Sequence, residues 1–196
     1  MDRLRRLALH GSLLMASLLI TPIACGMFGE PEPDVATAQR HTSAGLTFEY
    51  PGNWKTEVAQ EHVEGTTITT ITVSSKFGNA VALVQQFQPR ADVDRDQVVH
   101  DFFEGVRGAV PELATIERLD GGQAETIHRQ LFGESREGRR LRYAIEMLGE
   151  KIPHTVDMVF AELDDRLVIV YAQIPDEDRR KALPGFDLVM DSLALE

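Results

Sequence analysis

Residues 167–174, Leu-Val-Ile-Val-Tyr-Ala-Gln-Ile, are apolar at nearly every position. A strand with one wet face alternates apolar and polar side chains, so a run apolar in both parities demands cover on both faces. The chain must therefore build layers around a sheet, and suitable segments stand before and after this run. Residues 67–74 and 80–88 are rich in β-branched side chains and are separated by Lys76-Phe77-Gly78-Asn79, a hairpin signal. Residues 94–110 repeat Val98, Phe102, Val106 and Ala109 at helical spacing with Val99 and Phe103 beside them, and Asp94 with Gln97 reads as a capping box. Further strand-like runs occupy 124–132, 139–148, 155–163 and 166–174, with turns at Asp120-Gly121-Gly122, Glu137-Gly138 and Asp164-Asp165. Pro184-Gly185 predicts a break between a short helix over 176–183 and a second helix from Phe186. The fold class is α+β: an antiparallel meander covered by the 94–110 helix on one face and the terminal helix on the other.

The body opens at Gly45-Leu-Thr-Phe-Glu-Tyr-Pro-Gly-Asn-Trp54, where Leu46, Phe48 and Tyr50 alternate with Thr47 and Glu49 as in a half-buried strand. Pro51-Gly52-Asn53 turns the chain, and Trp54 is placed to close the end of the core. Gly45, Phe48, Tyr50, Pro51 and Trp54, with the closing segment 186–193, resemble the PsbP-like group. That group includes the photosystem II extrinsic subunit, a Ran-binding nuclear-import factor and DcrB-type bacterial lipoproteins. The resemblance covers roughly residues 44–194 as an order of elements. It implies a twisted antiparallel β-sheet flanked by helices, an α/β/α sandwich, and a role in binding partners rather than a shared reaction.

Ahead of the body the chain reads as an export signal. Met1-Asp-Arg-Leu-Arg-Arg6 is basic, and the apolar run 12–24 is shorter than the roughly 20 residues a membrane-spanning helix needs. Cys25, the sole cysteine, follows in Thr21-Pro22-Ile23-Ala24-Cys25-Gly26, which resembles a lipobox except that Pro22 stands where leucine is usual. The resemblance implies cleavage before Cys25, acylation of that residue, and attachment to the bacterial envelope facing the periplasm; Gly26 in place of aspartate favours the outer membrane. An ordinary secretory signal with Cys25 as a free thiol is the alternative, and Arg5-Arg6 leaves Sec and twin-arginine export both open. The expected division is a signal over 1–24, a lipid-anchored acidic and proline-rich tether over 25–43 that would hold the body off the membrane surface, and a domain over 44–196. With one cysteine, no internal disulfide can form, so burial alone must hold the body.

The whole chain carries −11, and loss of residues 1–24, themselves +2, leaves −13. Such a body is repelled by the phosphates of a membrane or of a nucleic acid, and nucleic-acid binding is disfavoured. No motif carries chemistry. Asp92-Val-Asp94-Arg-Asp96 begins like a calcium loop, but Gln97 and Phe103 stand where glycine and the bidentate glutamate belong. His62-Val-Glu64 lacks the cysteine half of a deaminase site, and Gly133-Glu-Ser-Arg-Glu-Gly138 fits a hairpin turn better than a nucleophile elbow. His128 and His154 fall on expected strands and could meet across the sheet. We therefore expect no catalytic, cofactor or metal site. Arg136, Arg139, Arg140 and Arg142 form the one local excess of positive charge, with Arg140 and Arg142 on one strand face opposite Leu141, Tyr143 and Ile145. Arg139, Arg140 and Arg142 are thus the possible binding surface for a carboxylate or phosphate, unless they pair with the chain's own acids. The functional expectation is an envelope protein that binds a protein partner; the alternative is a carrier or sensor of a small apolar or anionic ligand.

Overall fold

The structure is a computed structural model that describes residues 29–196. In chain order it contains a 3-10 turn (Val35–Thr37), β1 (Gln39–Ser43), β2 (Leu46–Tyr50), β3 (Trp54–Val63), β4 (Thr66–Ser75), β5 (Val81–Gln88) and α1 (Arg95–Ala109). There follow β6 (Ala114–Arg118), β7 (Glu125–Leu131), β8 (Glu134–Met147), β9 (Glu150–Glu162), β10 (Leu167–Pro175), α2 (Arg179–Asp191) and the short β11 (Ala194–Leu195). The main sheet is antiparallel in the order β3-β4-β5-β10-β9-β8-β6. β7 also pairs with β8, along residues 134–140, while β6 takes 143–147 of the same edge. A second sheet, β1-β2-β11, shares no strand with it.

β10 is the interior strand that its composition demands. It pairs with β5 on one side and β9 on the other, and its two parities feed two cores. Leu167, Ile169 and Tyr171 join Val99, Phe102, Phe103 and Val106 of α1 with Leu141 and Met158. Val168, Val170, Ala172 and Ile174 join Leu46 and Phe48 of β2, Trp54, and Phe186 and Val189 of α2. The α+β architecture with both faces of the sheet covered is therefore the one expected. The Asp94 side chain caps α1 by accepting from the amides of Asp96 and Gln97, whereas Gln97 turns its own amide to Asp101 instead of closing the box.

Four local expectations are corrected. α2 runs unbroken through Pro184, because Ala182 before it and Phe186 after it are both buried in the same core and keep the helix continuous across the missing amide. Glu137-Gly138 is not a turn: β8 continues through it, and Gly138 lies so close to the carbonyl of Met158 that a Cβ would not fit. The turn sits at Phe132-Gly133, both with positive φ. β3 and β6, unmarked in the sequence reading, are edge strands studded with polar side chains, as exposed edges usually are. Finally, the tether assigned to 25–43 is part of the body from Glu30 onward, with residues 39–43 forming β1 against the open edge of β2.

Candidate functional site

The face of the sheet beneath α2 holds a charged centre inside an otherwise apolar layer. Asp157 of β9, 2% exposed, receives Nε and Nη2 of Arg140 at 2.6 and 2.9 Å, Nη2 of Arg179 at 2.9 Å and Nη2 of Arg129 at 3.1 Å. These arginines come from β8, α2 and β7, so one carboxylate ties four elements together. Burial works to raise the Asp157 pKa, but the hydrogen bond from Arg140 and the charges of Arg179 and Arg140 outweigh it and hold the carboxyl below its usual range. Around this centre Glu125 approaches Arg140 at 3.7 Å, Asp187 approaches Arg129 at 3.6 Å, and Asp176 pairs with Arg142 at 3.1 Å. Four guanidiniums thus meet four carboxylates.

Of the two courses left open for the arginine row, the structure shows pairing with the chain's own acids. Arg140 and Arg142 do share a face, opposite Leu141, Tyr143 and Ile145, but both are taken up internally. Arg139, on the other parity, binds Asp96 at 2.9 Å and Glu137 at 2.6 Å, and Arg136 pairs with Glu134 at 2.7 Å. At Arg139 and Arg140 an arriving anion would have to displace a carboxylate already in place, whereas Arg142 is half exposed and meets Asp176 through Nη2. Asp157, Arg129 and Arg179 were missed from the sequence. The available signal was Asp157 itself, an acid sharing strand parity with the core residues Val159 and Ala161, which requires a buried cationic partner.

The two histidines do not meet. His128 stands opposite Glu137 and His154 opposite Tyr143, six residues apart along β8. His154 stacks on Tyr143 at 5.2 Å, and its burial lowers its pKa. His128 lines a cleft of about 310 Å³ with Arg129, Gln130, Ser135, Asp187, Met190 and Asp191, between β7, the start of β8 and the last turns of α2. There burial raises the Asp187 pKa, and the neighbouring Asp191 adds to the effect. Among the described residues no cluster of histidine, cysteine and acidic groups has the arrangement of a metal site, and no helix is long and apolar enough to cross a membrane. Cys25 lies outside the described residues.

A second polar feature lies at the end of the sheet where β3 starts and β4 turns into β5. Glu30, 2% exposed, accepts from the backbone amides of Asn79 and Ala80, the latter at 3.0 Å, while its own amide donates to Asp178 at 3.2 Å. Asn53 donates to the Glu32 carbonyl at 2.8 Å and accepts from the Asp34 amide at 2.9 Å. Gly78 is required here, because a Cβ would strike the Glu30 carboxylate. Residues 30–37 therefore form a strap sewn to the 51–53 turn and the 76–79 hairpin. Replacing Glu30 by alanine removes a charged acceptor worth about 1.5–3 kcal/mol. Amide exchange at Asn79 and Ala80 should speed up about ten-fold or more while Val84, inside β5, keeps its protection; unchanged exchange at both would show that the carboxylate does not hold the hairpin.

No family model matches the sequence, and no curated protein matches it significantly. Among solved structures, the chain is similar to cyanobacterial PsbP (CyanoP) from Synechocystis, with a TM-score of 0.51 and 15% identity over 88% of this chain and 98% of that one. It is also similar to a Bacteroides thetaiotaomicron protein, with a TM-score of 0.44 and 11% identity over 81% of this chain and 48% of that one. A third match is LpqN of Mycobacterium tuberculosis, described as involved in cell envelope biogenesis, with a TM-score of 0.38 and 11% identity over 84% and 98% of the two chains. At such identities the likeness speaks to architecture, and the CyanoP match spans nearly the whole of both chains. Two helices across an antiparallel sheet, entered through the Phe48-to-Trp54 strand and turn, give this chain the PsbP-like fold.

Proposed function

We propose that the chain is a lipid-anchored envelope protein without a reaction of its own, whose body binds another protein of the envelope. The observation that carries this reading is Cys25, the only thiol, set directly after a basic head and an apolar run too short to span a bilayer. Acylation there would add about 0.8 kcal/mol of membrane affinity per buried methylene. The body then faces the periplasm, at the outer membrane if the cell has one, and its acidity disfavours nucleic acid. A structural role for the Asp157 centre supports the non-catalytic part, since every charged group there is engaged by another.

The cleft at His128 and Asp187 supports a second reading, a carrier or sensor of a small ligand. Its polar lining suits a polar molecule better than an apolar one, and Asp187 and Asp191 disfavour an anion. Changing Cys25 to serine should move the protein from the membrane to the soluble fraction, and persistence in membranes would overturn the anchor. Crosslinking in whole cells followed by mass spectrometry separates the two readings: a single protein adduct supports the first, and a co-purifying small molecule with no protein adduct supports the second.

A further inference from the structure

The strap leaves very little chain between the anchor and the body. Glu30 is fixed at the 76–79 hairpin, so five peptide steps separate Cys25 from the body, a reach of at most about 18 Å. The end of the sheet to which the strap is sewn also carries the most exposed large apolar side chains among the described residues. Phe77 at the tip of the β4–β5 hairpin is 85% exposed. Leu148 in the β8–β9 turn is 85% exposed, and Leu113, just before β6, is 84% exposed. The antiparallel register puts all three at this end, since Ser74 pairs with Val81, Val81 with Gln173, Gln173 with Val156, and Ala114 with Met147. Among the described residues at the opposite end, only Leu195, half exposed, is comparable.

The lysines follow the same division. Lys55, Lys76, Lys151 and Lys181 are all the lysines in the chain, and each lies at the strap end: near the start of β3, in the hairpin, at the start of β9 and in the first turn of α2. Lys55, Lys151 and Lys181 pair with Glu57, Glu117 and Asp178, and Glu112, Glu146, Glu150 and Glu177 lie nearby, so this end is not net basic. Seven carboxylates against four ammoniums leave this end acidic, so it is repelled by anionic lipid and can meet only zwitterionic headgroups, with apolar tips able to enter the interface and lysine stems able to run along it.

We infer that the strap end of the sheet lies against a zwitterionic phospholipid bilayer, with Phe77 entering the interface, so that the body is apposed to the membrane instead of being held away from it. This rests on the anchoring of Cys25 proposed above. The test uses the full chain purified from membranes and reconstituted into phosphatidylcholine and phosphatidylethanolamine vesicles, with benzoylphenylalanine in place of Phe77, of Leu148 or, at the opposite end, of Glu64. Illumination should give phospholipid adducts at 77 and 148 at least ten-fold more often than at 64, with no increase when anionic lipid is added. Equal adduct yields at the three positions would overturn the apposition. The mass of the Cys25 peptide reports the anchor separately. If that peptide carries no acyl chains, the anchor reading fails, and the same three positions are compared after the Cys25 thiol is coupled to a maleimide phospholipid in the vesicles. The ten-fold bias then still supports the surface, and its absence still overturns it.

Discussion

Replacing Asp157 by alanine is expected to destabilise the body by about 3–5 kcal/mol, because three guanidiniums then crowd a largely buried space with no central counter-charge. For a body of this size that corresponds to a fall in melting temperature of roughly 10 °C or more. Asparagine at the same position keeps the shape and loses the charge, so it should lie close to alanine rather than to the native residue. Acid should reproduce part of the effect. The folded carboxyl titrates below its ordinary value of 3.8, so its contribution is fully present above that pH and is lost as the pH falls through the folded-state value. The native protein should lose stability steeply below about pH 3.8, and the alanine variant less steeply, in a denaturant series followed by circular dichroism. Parallel curves for the two proteins would show that Asp157 does not govern the acid limb.

The second large effect is expected at the far end of the same core. Trp54 is 1% exposed and meets Phe186 edge to face at 5.5 Å, and Gly185 lies so near that a Cβ there would stand 2.7 Å from the indole ring. Trp54→Ala should cost about 3–5 kcal/mol through lost burial and the cavity left behind. Gly185→Ala should cost about 1–3 kcal/mol by overpacking. Together they should cost clearly less than the sum, since the new methyl enters space the ring has left. Strict additivity in the double variant would show that the two positions do not share a packing site.

The helix 94–110 and the strands around 67–74, 80–88, 155–163 and 166–174 were legible because their side chains settle the matter locally. Val99, Phe102 and Val106 fall on one helical face, and the β-branched runs can be little else. β1 was not legible, since Gln-Arg-His-Thr-Ser carries no apolar pattern and becomes a strand only by completing hydrogen bonds along β2. The alternation of proline and acid in 30–34 hid the strap for the same reason: Glu30 is held by the amides of residues about fifty positions away. At the charged centre the parity of Arg140 could be read from its strand, but its partner could not. That depends on the register of β8 against β9 and on where Arg129 and Arg179 arrive from distant segments.

The strap and the charged centre meet at adjacent residues, and this gives the molecule a mechanical axis. Asp178 takes the amide of Glu30, and Arg179, its neighbour, grips Asp157. Tension applied through the N-terminal segment is therefore shared between the 76–79 hairpin, held by the Glu30 carboxylate, and the first turn of α2, which Arg179 joins to the middle of β9.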